Sequence, residues 1–190
     1  MIWSPLEKLE LTLSTRYDTF EDFADEQVVG RGGLVYHVNN ALTGKVVYGQ
    51  SFLSPQWAHV KRLTSGAFNP NPSLEPETFD GWDFILEYHQ DSLYANVSFF
   101  YSQVKDLIST GAGSYSYENL GENTYKGMEF ESKYRISPQL SLEGSYSFVN
   151  KAGATSASWL VDGDIKNIPE HIGRLGLHFT PVDNLDISLW

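Results

Sequence analysis

Along most of the chain apolar and polar residues take turns one by one, the period-2 spacing of strands whose two faces meet different surroundings. About nine segments show it. The first, about Lys8 to Tyr17, sets Leu9, Leu11, Leu13 and Tyr17 against Glu10, Thr12, Ser14 and Arg16. The second, about Gln27 to Val38, sets Val28, Leu34, Tyr36 and Val38 against Arg31 and His37. The third, about Leu42 to Phe52, sets Leu42, Val46, Tyr48 and Phe52 against Thr43, Lys45 and Ser51. In the fourth, Trp82, Phe84, Leu86 and Tyr88 alternate with Asp83, Ile85, Glu87 and His89. The fifth, about Leu93 to Lys105, carries Leu93, Ala95, Val97, Phe99 and Tyr101 on one face. The sixth, about Tyr125 to Arg135, carries Met128, Phe130 and Tyr134. Leu140, Leu142, Tyr146 and Phe148 mark the seventh, Leu175, Leu177 and Phe179 the eighth, and Leu185, Ile187 and Leu189 the ninth. Helical spacing is almost absent, so the pattern predicts an all-β chain in which no charge falls on an apolar face.

Alternation alone fits a soluble sandwich as well as a membrane barrel. The connections add a second pattern. Asn39-Asn40-Ala41, Gln90-Asp91-Ser92, Ile136-Ser137-Pro138-Gln139 and Pro181-Val182-Asp183-Asn184 read as tight turns, while about Asp18 to Glu26, Leu53 to Glu77, Ser109 to Thr124 and Asn150 to Lys166 are long and polar. Short and long alternate, so an up-and-down antiparallel sheet would have one trimmed rim and one extended rim. Outer-membrane barrels have this asymmetry, with short periplasmic turns and longer extracellular loops. Most segments reach about ten residues, a barrel-strand length, against a mode near 5–6 in soluble domains. Tyr17, Tyr36, Tyr48, Trp82, Tyr101 and Tyr134 sit toward segment ends, where a lipid–water interface favours aromatic rings. The expected fold is an antiparallel up-and-down transmembrane β-barrel wall. Its lipid-facing residues are Leu9, Leu11, Leu13, Trp82, Phe84, Leu86, Tyr88, Val97, Phe99, Tyr101, Phe130, Tyr134, Leu142, Tyr146, Leu175, Leu177 and Phe179. The opposite face, with Glu10, Arg16, Arg31, Lys45, Glu87, Glu129, Lys133, Glu143 and Arg174, would line a lumen wide enough for water or an inserted domain.

Composition narrows the functions. Of 190 residues 14% are aromatic, yet no run approaches the length of a transmembrane helix. A net charge of -11 with scattered Lys and Arg argues against a nucleic-acid partner. The absence of cysteine removes disulfides, thiolate catalysis and cysteine zinc sites. Gly30-Arg31-Gly32-Gly33 lacks the Gly-Lys-Ser/Thr of a phosphate loop, and the five histidines show no metal-ligand spacing. Carboxylate pairs such as Asp83 with Glu87 are what a lumen wall would show without catalysis. No enzymatic activity, cofactor or metal is expected. For ligand contact the best stretch is the long loop with Gln56, Trp57, His59, Lys61, Arg62 and Phe68, where cations beside aromatics can meet an anionic chelate. Tyr115 and Tyr117 in the next long loop are further candidates.

Several stretches resemble a known family. Asn69-Pro70-Asn71-Pro72-Ser73-Leu74-Glu75-Pro76-Glu77 is similar to the NPNLKPE segment of TonB-dependent outer-membrane receptors. Residues Leu11 to Asp18 resemble LTLGLRYD, Tyr48 to Pro55 resemble YGQAFRAPS, and Phe99 to Ile108 resemble FYNDIKDLI. Tyr117-Glu118-Asn119-Leu120-Gly121 followed by Gly127-Met128-Glu129, and Asn167-Ile168-Pro169-Glu170-His171, complete the series in family order. Ser14, Leu53 and Glu170 depart from the glycine, basic residue and arginine of those motifs.

The resemblance implies a 22-stranded barrel filled by an N-terminal plug, importing a scarce ligand such as a ferric siderophore or related iron complex. Energy would come from TonB, with ExbB and ExbD, acting on the plug. Residues 1–190 would cover part of the second half of that barrel, about nine strands, in the bacterial outer membrane, without plug or signal peptide and short of the last strands. An open sheet would leave edge amides unpaired in lipid, which also speaks for a larger whole. A passive porin or structural barrel shares every periodicity above, and a plug upstream would separate the two.

Overall fold

The computed structural model describes residues 2–19, 26–61, 69–110, 115–153, 169–182 and 184–190. Ten strands form one antiparallel sheet among them: β1 (Ile2–Leu6), β2 (Leu9–Asp18), β3 (Gln27–His37), β4 (Leu42–Leu53), β5 (Glu77–Gln90), β6 (Leu93–Lys105), β9 (Glu122–Ser137), β10 (Leu140–Gly153), β11 (His171–Val182) and β12 (Leu185–Leu189). Neighbours in the sheet are neighbours in sequence, except that β7 (Ile108–Thr110) and β8 (Tyr117–Asn119) intervene between β6 and β9 as a separate two-stranded sheet. One helical turn, α1 (Trp57–Val60), lies between β4 and β5.

The register puts the expected apolar residues on one continuous face. Directly opposed residues share a face, and one transverse row runs Leu11–Leu34–Val46–Phe84–Phe99–Met128–Phe148 across seven strands. A second runs Leu9–Tyr36–Gly44–Leu86–Val97–Phe130–Tyr146. Trp82 stacks with Phe84 and tilts against Tyr48 across the ladder. No layer among the described residues covers the face: Trp82, Phe84, Leu86 and Phe99 are each 44 to 53% exposed. On β6 the apolar positions span Leu93 to Tyr101, about 27 Å of strand, which at barrel tilt gives a band roughly 20 Å high.

The short rim is closed by Glu7–Lys8 and by the expected turns. Asn39 Oδ1 accepts from Ala41 N at 2.8 Å and Leu42 N at 2.9 Å, an Asx turn that fixes the β3–β4 hairpin. Asp91 takes φ 49° in the two-residue β5–β6 turn, a conformation Asp tolerates better than most residues.

Two expectations need correcting, and the sheet of about nine expected strands gains one at its edge. The sheet has ten strands, because Ile2–Leu6 pairs with β2 in a stretch whose Trp-Ser-Pro-Leu sequence hides the alternation. Strands are also longer than their period suggests, β5 beginning at Glu77 and β9 at Glu122. Finally, Lys105 and Lys126 lie on the apolar-face parity: Lys126 opposes Tyr101 and Lys105 opposes Thr78. Lys126 shares its row with Tyr48, Trp82 and Tyr101, the next row of that face is Gln50–Asp80–Gln103–Thr124, and Lys105 lies one row further with Thr78, so the apolar band ends at the aromatic row.

Glycines mark close approaches on the polar face. Phe100 lies over Gly127, and a Cβ there would collide with its ring and with the Phe148 carbonyl oxygen. Gly49 faces open space. Gly127→Ala is expected to lower the stability of the barrel by about 1–3 kcal/mol. Gly49→Ala is expected to leave it unchanged or raise it by about 0.5 kcal/mol, both read from urea unfolding midpoints in detergent.

Candidate functional site

The best-packed part of the described structure is not in the sheet. The buried hydrophobic side chains among the described residues are Val60 and Leu74, both in the long β4–β5 connection, with Pro55 and Pro76 buried beside them in sequence. This connection and the β7–β8 hairpin together form a small cap on the long rim.

Its construction follows from residues that pair backbone groups without a ladder. The Gln56 N–H donates to His59 Nδ1 at 3.3 Å, and the His59 N–H to the Gln56 carbonyl, closing the turn of α1. Proline cannot donate to a sheet, so Asn69-Pro70-Asn71-Pro72 runs outside one and its asparagines supply the partners. Asn71 N–H donates to the His59 carbonyl, Asn71 Oδ1 accepts from Ser73 N, and Asn71 Nδ2 donates to the Tyr117 carbonyl at 2.9 Å. From the hairpin, Asn119 Oδ1 accepts from Glu75 N at 2.9 Å while its Nδ2 donates to the Glu75 carbonyl at 2.8 Å and the Asp106 carbonyl at 2.7 Å. The Ile108 N–H donates to Glu77 Oε1 at 2.8 Å. The Asn69 N–H bonds the Tyr115 carbonyl, and Asn69 bridges Ser116.

The cap brings together most of the residues expected to meet a ligand. Trp57 is 49% exposed with Lys61 Nζ 4.1 Å from its ring centroid. Tyr115 is 68% exposed on the neighbouring hairpin. His59 and Tyr117 are instead half-buried, their rings 4.3 Å apart between the two segments, and serve the cap's cohesion. Gln56 is exposed ahead of α1. Arg62 and Phe68 lie outside the described residues. The sequence reading passed over Asn71, Glu75, Glu77 and Asn119 as contacts, although the Asn-Pro pairs signalled a stretch needing side-chain partners.

On the polar face, Lys45 pairs with Glu87 at 2.6 Å and Lys133 with Glu143 across strands, while the His178 and His37 rings lie 3.5 Å from Glu143 and 3.6 Å from Glu10. Each is part-exposed and contributes at most about 1 kcal/mol. No group of three or more His, Asp or Glu among the described residues could hold a metal ion.

A family model described as TonB dependent receptor-like, beta-barrel matches residues 2–189. The chain belongs to the TonB-dependent receptor β-barrel family. Members are outer-membrane β-barrel proteins that transport and do not catalyse, and that membrane is this chain's location. Solved structures agree on the fold. The FrpB iron transporter from Neisseria meningitidis (F5-1 variant) superposes with TM-score 0.77 at 18% identity over 98% of this chain. The ferric-catecholate import receptor Fiu from K12 E. coli gives 0.76 at 14% over 98%, and the ferric yersiniabactin uptake receptor FyuA from Yersinia pestis 0.72 at 15% over 98%. The chain spans 31 or 32% of the length of these three structures. In outer-membrane barrels the interior face is polar and the longer loops are extracellular.

Leu74→Ala removes one of the two buried hydrophobic side chains among the described residues of the cap, a change that costs about 2–5 kcal/mol in a packed site. Amide exchange at Asn71, Glu75 and Ile108 is expected to accelerate strongly while exchange in β5 and β6 is unchanged.

Proposed function

We propose that this chain supplies barrel wall and outer cap to a receptor that actively imports a scarce ligand, a ferric siderophore or related iron chelate. Import draws on TonB, with ExbB and ExbD, through a plug that a longer protein carries inside the barrel. Residues 1–190 are then a partial barrel domain. The observation that carries this reading is the cap: an exposed Trp57–Lys61 pair and Tyr115 displayed together on the outward rim of a barrel of this family. A cation held over an aromatic face presents positive charge and a stacking surface at once, which suits a planar, anionic metal chelate. The iron-related names of the structures with the same fold support the choice of ligand. The lumen, lined by part-exposed charges of both signs, suits a polar plug better than an apolar filling.

The same reading gives hydrocarbon to the uncovered apolar face, from Leu9, Leu11 and Leu13 through Trp82, Phe84, Leu86 and Tyr88 to Leu175, Leu177 and Phe179. Lys126 then lies at the outer headgroup level within the girdle of Tyr48, Trp82 and Tyr101, and Lys105 two rows above it.

Radioactive iron supplied as a ferric catecholate to cells producing the full-length receptor should accumulate only when TonB is present. Accumulation that stops at the external concentration and ignores TonB would establish a passive pore instead. Trp57→Ala and Lys61→Ala should each weaken chelate binding by about 2–5-fold, equivalent to 0.5–1 kcal/mol for an exposed cation–π site. Phe84→Arg, at the middle of the band, should destabilise the bilayer-inserted barrel by about 2–4 kcal/mol, whereas Asp83→Asn on the other face should change it little. Folding titrations into lipid vesicles compare the two.

A further inference from the structure

Two features of the β7–β8 hairpin set it apart from the wall that carries it. Strands β6 and β9 pair up to Lys105 and Glu122, and the hairpin resumes pairing at Ile108 and Asn119, in a different sheet. Between them both chains pass through a positive φ: Asp106 at 58° on one side and Gly121 at 68° on the other. The ladder is therefore broken at one level on both strands, where the backbone link is the Leu120 N–H to the Leu107 carbonyl. Glu77, which accepts from the Ile108 N–H, has the parity of Phe79, Gly81 and Asp83 on the luminal face. The base of the hairpin thus leans to the luminal side of β5.

At that break, side chains stand in for strand neighbours. Asn119 reads both the N–H and the carbonyl of Glu75, as a paired residue in a sheet would, and uses its remaining amide hydrogen on Asp106 at the bend itself. A primary amide can do this because it offers two donors and an acceptor in one plane. Asn71 makes the reciprocal link from the other loop, through Nδ2 to the Tyr117 carbonyl.

We propose that Asn119 and Asn71 are positioning residues that latch the two outer loops into a single body, hinged on the wall at Asp106 and Gly121. The latch holds Trp57 and Lys61 on one loop at a fixed separation from Tyr115 on the other. Any motion at the hinge then moves these groups together. Only the description of the three as ligand contacts rests on the function proposed above; the latch stands on geometry alone.

The test needs no ligand. Spin labels at Ala58→Cys and Tyr115→Cys, in the full-length receptor in lipid vesicles, report the separation between loops by pulsed electron resonance. The latched parent should give one narrow distance distribution. Asn119→Ala should broaden it at least two-fold. Asn119→Asp should do the same, because a carboxylate keeps the acceptor for Glu75 N but loses both donors and faces two carbonyls. Ser73→Ala, whose backbone alone takes part, should leave the distribution narrow. Asn71→Ala removes two side-chain hydrogen bonds and serves as the milder variant if Asn119→Ala does not fold. A narrow distribution retained in Asn119→Asp, or in Asn71→Ala, overturns the latch even if the receptor imports iron. A broadened one upholds it even if the receptor does not.

Discussion

A peptide group in hydrocarbon has no water to turn to, so every N–H and carbonyl of a membrane-spanning segment must find its partner in the protein. The whole wall of this protein is organised by that requirement. From β4 to β5 twelve consecutive residue pairs stay in register, and from β5 to β6 thirteen, with no bulge in either ladder. Irregularity is confined to the ends: near Leu140 and Ser141 at the short rim, near Trp3 and Leu6, and near Phe179 and Val182. Once the ladders are continuous, period-2 alternation follows. Each residue faces either hydrocarbon or lumen, and a slip of one position would exchange the two along an entire strand.

That division explains why a hydrophobic core hardly exists in the usual sense. In a soluble sheet the row Val46–Phe84–Phe99 would be covered by a second layer; on the function proposed above, hydrocarbon takes that place. The polar face instead carries Lys45 with Glu87 and Lys133 with Glu143, pairs that stay part-exposed and so avoid the desolvation that makes buried ion pairs costly. Gly127 shows that the luminal side is still packed locally, since the Phe100 ring occupies the space where a side chain would stand.

Much of the wall could be read from the sequence because its cause is local and repetitive. Trp82, Phe84, Leu86 and Tyr88 announce their common face within seven residues, and Asn39 announces its turn within four. The cap could not be read in the same way. Asn71 and Asn119 are 48 positions apart, and nothing in either neighbourhood says that they serve one junction. Two motifs that resemble receptor sequences separately, Asn69 to Glu77 and Tyr117 to Gly121, prove to be the two halves of one contact. Strand ends were hidden for a related reason. Beyond Trp82 toward Glu77 the outward face leaves the apolar band, so alternation fades while the ladder continues.

One departure from the family pattern gains meaning in this setting. Leu53 stands where the motif that this stretch resembles has a basic residue, and in the ladder it lies directly opposite Glu77. A cation at that position would face the Glu77 carboxylate across the strand pair, a geometry that favours a charge-assisted contact. With leucine there, the ion pairs among the described residues leave Glu77 out, and its Oε1 receives the Ile108 N–H at the base of the hairpin. Glu77 thus serves the junction between wall and cap, and Leu53, the last residue of β4, faces it across the strand pair.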